Sequence, residues 1–165
     1  MFFHAMRAAG LVAVSALVAL AGERQVSLQG VESGQYIGNL GALPTDPIIT
    51  NDFAEGIAPR LGKYTLVARE VINPVTHEIS EGAFVITAAN GDTVLGTYTG
   101  TVSFEPTRIT WIVDGPVVSG TGRFAKATGT VHITGSSNPS APCQGVAQLV
   151  VCGFTETTAI ELALP

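Results

Sequence analysis

The residue in this chain best placed to do acid–base chemistry is Glu70. It falls in the run from Lys63 to Ile72, where Tyr64, Leu66, Ala68, Glu70 and Ile72 share one face of an alternating pattern and Lys63, Thr65, Val67, Arg69 and Val71 share the other. If the first face is turned to an interior, a carboxyl is held among apolar neighbours, burial raises its pKa, and it becomes a general acid or base. If the register is the opposite one, or the strand end frays, Glu70 is a solvated side chain. Tyr98 and Trp111 lie on the more apolar faces of two further alternating runs. With Tyr64 and Leu66 they are candidate walls of a small-molecule pocket, each aromatic ring carrying one polar handle, and the alternative is that they are plain core. His132 shares a face with Thr130 and Thr134, opposite Val131 and Ile133, which reads as an exposed or rim histidine.

Other chemistry is poorly supported. Gly120-Thr121-Gly122-Arg123-Phe124-Ala125 loosely matches a dinucleotide fingerprint, but that motif needs a helix after it, and here Thr128, Thr130, Val131 and Ile133 announce another strand. The stretch is read instead as a glycine-rich turn over one end of the fold, with Phe124 plugging the core. No Ser/His/Asp order is present, and Gly30-Val31-Glu32-Ser33-Gly34 lacks the spacing of a nucleophile elbow. Zinc needs four ligands, and His77 and His132 stand far in sequence from Cys143 and Cys152, so no metal site and no cofactor are expected. A formal charge of −5 with scattered basic residues excludes a phosphate-binding face, and with it nucleic acid as a partner.

The elements that must position these side chains are strands. Nineteen glycines, nine prolines and many valines and threonines favour strands joined by tight turns, and 165 residues suffice for one domain with a continuous core. Gln25 to Val31 alternates as a first strand, which Gly30, Gly34, Gly38 and Gly41 keep from running further. Leu43 to Arg60 holds Pro44, Pro47 and Pro59, and is expected to be a long connection across one end, a lid with at most a short strand near Phe53. Asn73-Pro74 turns the chain and Glu81 to Ala89 returns it. Asn90-Gly91 predicts a two-residue type I′ hairpin. In Thr93 to Phe104, glycines alternate with large residues on the face of Val94, Tyr98 and Val102, as a strongly curved strand requires. Arg108 to Val118, Gly129 to Gly135 and Val146 to Phe154, with Thr155 to Leu162 extending the last or adding another, complete about eight strands, with no helix to cover a sheet face. The expected fold is all-β, a single closed antiparallel barrel whose interior is filled or holds one small ligand.

The first residues read as an address. Met1 to Arg7 carries a positive charge, Ala8 to Leu20 is apolar and short for a membrane span, and Ala19-Leu20-Ala21 offers a processing site before Gly22. Residues 1–21 are therefore expected to be a helical signal peptide and residues 22–165 the barrel domain, secreted or periplasmic, with no stable membrane insertion after processing. In an oxidising compartment Cys143 and Cys152 favour a disulfide closing a short loop; the alternative is a buried Cys152 and a loop thiol.

Leu61-Gly62 opening a strand, Gly91-Asp92 in a turn, Gly96 and Tyr98 followed by Gly100, and Gly120 to Phe124 with Gly129 beyond together resemble the allene oxide cyclase and dirigent barrels of the calycin-like kind, most closely their secreted bacterial members. The resemblance covers about half the chain and implies use of the barrel interior on a small hydrophobic molecule. It also implies association into a homo-oligomer, dimer or trimer, which a flat apolar outer face at Val67, Val71 and Val85 would fit. Three functions follow: a binder with walls at Tyr64, Leu66, Tyr98 and Trp111, a cyclase or isomerase in which Glu70 moves a proton, or a structural protein with a packed lumen. An inward Glu70 with a polar partner favours the enzyme over the binder, and a lumen without a cavity favours the third.

Overall fold

The structure is a computed structural model and describes residues 24–137, 143–146 and 148–165. The expected signal peptide, residues 1–21, lies outside them. The chain forms β1 (Arg24–Asn39), β2 (Ile48–Ala58), β3 (Gly62–Ile72), β4 (Glu78–Ala88), β5 (Thr93–Glu105), β6 (Arg108–Gly120), β7 (Thr128–Ser137), a short β8 (Gln144–Val146) and β9 (Leu149–Leu164). Each strand from β1 to β7 pairs antiparallel with the next. β9 then pairs with β7 on one side and, along all sixteen of its residues, with β1 on the other. The result is a closed up-and-down barrel of eight strands, with β8 as a short flap on the first residues of β9. Closure leaves the eight barrel strands without an unpaired edge, which is how strands with no covering helix among the described residues satisfy their backbone.

The alternating faces sort as the period-2 pattern requires. Tyr64, Leu66, Ala68, Glu70 and Ile72 of β3 and Val94, Gly96, Tyr98 and Val102 of β5 all point inward. At one end the lumen is packed shut by Leu61, Ala88, Val94, Phe124, Ala127 and Leu162, with Phe124 delivered by a 3₁₀ turn at Gly122–Phe124. Gly122 has φ of +56°, and Arg123, hydrogen-bonded and ion-paired to Asp92 at 3.3 Å, ties this turn to the β4–β5 hairpin. On the outside, Phe53, Val67, Val85 and Leu95 form one cross-strand row over β2 to β5, and Phe53 and Val67 are exposed.

Three expectations are corrected. Leu43 to Arg60 is not a lid: Ile48–Ala58 is a full strand paired on both sides, because Pro47 and Pro59 flank it and only the short segment between Asn39 and Ile48 is loop. The first strand does not stop at Val31 but runs to Asn39, and its glycines serve packing instead of interruption. A Cβ at Gly30 would overlap the Tyr64 phenol, and one at Gly34 the backbone of Phe53 and Ala54. The Asn90-Gly91 hairpin has Gly91 at φ +87° but no positive φ at Asn90. Gly91 N–H donates to the Ala88 carbonyl and Ala88 N–H to the Asp92 carbonyl, both at 2.9 Å, giving the three-residue turn with a bulge at its left-handed glycine.

Candidate functional site

Three glutamates point into the lumen, and each is held in the same way: an aromatic side chain reaches over a glycine of the intervening strand to hydrogen-bond it. Tyr64 on β3 lies opposite Gly56 on β2, which lies opposite Glu32 on β1, and the Tyr64 hydroxyl donates to Glu32 at 2.7 Å. Trp111 on β6, Gly135 on β7 and Glu156 on β9 repeat the row, with Trp111 Nε1 donating to Glu156 at 3.1 Å. Tyr98 on β5 crosses Gly82 on β4, at the bulge between Arg69 and Val71, and its hydroxyl donates to Glu70 on β3. The glycines make this possible. A Cβ at Gly135 would lie 2.6 Å from Trp111 Nε1, one at Gly56 2.5 Å from Tyr64 Cζ, and one at Gly82 would overlap Cδ2 and Cε2 of Tyr98.

Hydroxyls complete the carboxylate shells. Thr50, opposite Glu70 in the register, donates to it, and Thr158 donates to Glu32. A fourth carboxyl, Asp52, stands opposite Tyr36 on β1 and within hydrogen-bonding reach of Glu70. Its Oδ1 is sealed from solvent and has no hydrogen-bond partner. Every described lysine and arginine is exposed, so among the described residues no cation balances these acids.

The electrostatics follow from that. Burial, then the charges of Glu70 and Glu156, and the hydrogen bond with Glu70 push Asp52 well above the usual carboxylate range. Glu156 is pushed up to about 8, by burial first and by Glu32, which faces it directly across β1 and β9, against the lowering effect of the Trp111 hydrogen bond. Burial raises Glu32 as well, although its bonds from Thr158 and Tyr64 work the other way. Tyr36, Tyr64 and Tyr98 are raised by burial and by these neighbouring acids, so all three remain hydroxyl donors.

At the end of the barrel opposite the Phe124 plug, the lumen opens into a cavity of about 210 Å³. Its walls are apolar, including Ile48, Ile72, Val102, Phe104 and Trp111, and its floor is Asp52 and Glu70 with Tyr36 beside them. A smaller void of about 20 Å³ lies beneath, between that floor, Tyr98 and Glu156. Trp111 stands edge-on to Tyr36 and Phe154 at 6.1 and 5.5 Å between ring centres. Val150 of β9 and Leu40 form part of the rim. Leu40 N–H donates to the Gln148 carbonyl, and the Cys143–Cys152 disulfide fixes the β8 flap on β9 next to Tyr36.

The structure brings Glu70 and Trp111 of the expected site residues to this cavity. Leu66 and Tyr98 line only the smaller void, and Tyr64 sits deeper, on Glu32. Glu70 is inward, and its polar partners are the Thr50 and Tyr98 hydroxyls. His132 is exposed and pairs with Asp114 at 2.6 Å. Sequence reasoning missed Asp52, Glu156 and Glu32. The signal was alternation: Asp52 shares parity with Thr50 and Ala54, Glu156 with Phe154, Thr158 and Ile160, and Glu32 with Val26 and Leu28.

No family model matches this chain, and no curated protein does. Among solved structures it is similar to that of a pterocarpan synthase dirigent protein, at 12% identity over 84% of this chain and 86% of the other, with a TM-score of 0.39. The closed eight-stranded barrel agrees with the architecture that the sequence resemblance implied, and the chemistry rests on the lumen's own residues.

Proposed function

We propose that this chain is an exported barrel of the dirigent kind that binds a small hydrophobic molecule in the mouth of its lumen. The observation that carries the reading is the apolar cavity of about 210 Å³ ending on a carboxyl floor. Ligand sites combine apolar walls with a few convergent polar groups in this way, and the volume is below the usual range for drug-sized ligands, so the occupant is small. The Cys143–Cys152 disulfide supports an oxidising location. Trp111 is the only tryptophan and lines the cavity, so its emission reports occupancy directly. The test is mass spectrometry of an organic extract of the purified protein beside a Trp111→Ala variant, with titration of wild-type emission by hydrophobic probes. A stoichiometric molecule lost in the variant, or saturable quenching, is expected; an empty extract together with flat titrations would refute it.

A second reading, a cyclase or isomerase, is favoured by the pairing of Asp52 with Glu70. Two adjacent carboxyls, one raised and the other receiving hydroxyl bonds from Thr50 and Tyr98, separate a proton donor from a proton acceptor. In this reading Asp52 gives a proton to the bound molecule, Glu70 takes one from it, and the proton returns from Glu70 to Asp52 across the hydrogen bond between them, which restores both groups. Turnover that disappears in Asp52→Asn while binding persists would establish it.

A further inference from the structure

We infer that the molecule bound in the mouth is a small hydrophobic amine, held as its ammonium ion with the charge against Asp52 and Glu70 and the apolar body against Tyr36, Trp111 and Phe104. This rests on the reading of the mouth as a small-molecule site and names the class of its occupant. Three separate observations converge on it. The first is the unsatisfied acceptor: Asp52 Oδ1 is buried at the cavity floor without a donor, and a buried acceptor of this kind costs free energy until a donor arrives. The second is a cluster of carboxyls without a cation: Glu70 takes hydrogen bonds from the Thr50 and Tyr98 hydroxyls, Asp52 lies within hydrogen-bonding reach of it, Glu156 stands near, and every described lysine and arginine is on the outside. The third is the wall beside that floor: Tyr36 is the direct cross-strand neighbour of Asp52, and Trp111 stands edge-on to it at 6.1 Å.

A neutral alcohol would satisfy only the first of these. A hydrated metal ion would suit neither the apolar walls nor the donor set, and among the described residues no group of acids, histidines and cysteines is placed to hold one. An ammonium ion satisfies all three at once: it donates to Oδ1, brings the missing positive charge to the carboxyl cluster, and has the rings of Tyr36 and Trp111 beside it to receive its apolar body. The groups facing the bound charge are Asp52 and Thr50 from β2, Glu70 from β3, Tyr36 from β1, Trp111 from β6, Tyr98 from β5 and Glu156 from β9. None of these is a cation.

The test compares benzylamine, benzyl alcohol and toluene, which share a ring and differ in the polar head. Each is titrated against the purified protein at neutral pH by Trp111 emission and calorimetry. Benzylamine is expected to bind about tenfold or more tightly than benzyl alcohol, the ratio a charge-assisted hydrogen bond to the carboxyl floor supports. In Glu70→Gln, and separately in Asp52→Asn, that preference falls to near unity while benzyl alcohol still binds, which shows that the lumen is intact. Benzyl alcohol binding as well as benzylamine to the wild type would overturn the inference and leave the hydrophobic-binding reading standing. A preference that survives both substitutions would overturn it as well. Failure of all three probes to bind would overturn both readings.

Discussion

Gly135→Ala is the substitution that best separates the aromatic-over-glycine arrangement from ordinary strand packing. The added methyl would sit 2.6 Å from Trp111 Nε1 and closer still to the ring carbons, on a strand paired on both sides, so the indole must move instead of the backbone. Two costs follow. Overpacking of a filled interior is about 1–3 kcal/mol. Swinging the indole away also breaks its 3.1 Å bond to Glu156 and leaves a buried carboxyl without its donor, a further ~1–3 kcal/mol. Together these predict a loss of about 2–6 kcal/mol. Gly38→Ala is the control. It lies in β1, where a Cβ would meet nothing nearer than Ile48 Cγ2 at 3.7 Å, so the alanine is expected to stabilise by about 0.4–1 kcal/mol through the unfolded state. Urea denaturation followed by the single tryptophan measures both, and the Gly135→Ala emission should shift as the indole leaves its carboxylate. A Gly135→Ala variant as stable as Gly38→Ala, with unmoved emission, would refute the reasoning.

Further expectations concern the acids, the disulfide and the deep tyrosine. Glu156 binds its proton more tightly when folded, so stability is greatest below its ordinary value of 4.5 and falls as pH rises toward about 8, by up to ~1.4 kcal/mol per unit. Asp52 and Glu32, raised in the same direction, add to the fall; denaturation midpoints between pH 5 and 8 should show it, and Glu156→Gln should flatten the slope. Reducing Cys143–Cys152, which closes a loop of nine residues' separation, should cost about 2.5 kcal/mol and weaken ligand binding at the mouth, as measured by denaturation and Trp111 titration with and without reductant. Tyr64→Phe removes the 2.7 Å bond to Glu32 at the deep end, and should cost about 1–3 kcal/mol in denaturation without changing affinity at the mouth.

How much of this was legible in the sequence depended on whether a signal was local. Alternation in β3 put Glu70 on one face with Tyr64, Leu66 and Ile72, although not which way that face turned; the glycines of β5 announced curvature, and the next strand after Gly129 identified the Phe124 segment as a turn. β2 was hidden because prolines mark a break without saying whether it falls inside a strand or at its ends. The glycines of β1 misled for a related reason: Gly30 makes room for Tyr64, two strands away, and Gly34 for the backbone of the next strand, and a missing side chain can be read as packing only once the register is known. Asp52, Glu156 and Glu32 carried the right parity, yet an acid on a short alternating run is ordinarily solvated. Only closure of the sheet turns those positions toward a common interior.

The pairing of β1 with β9 also fixes how the molecule can be handled. Arg24 lies opposite Leu164 at the plugged end, alongside the Asn90-Gly91 and Gly122–Phe124 turns, while the cavity opens at the other. A surface or fusion partner coupled through either Arg24 or Leu164 therefore leaves the opening facing outward, free to exchange with the medium.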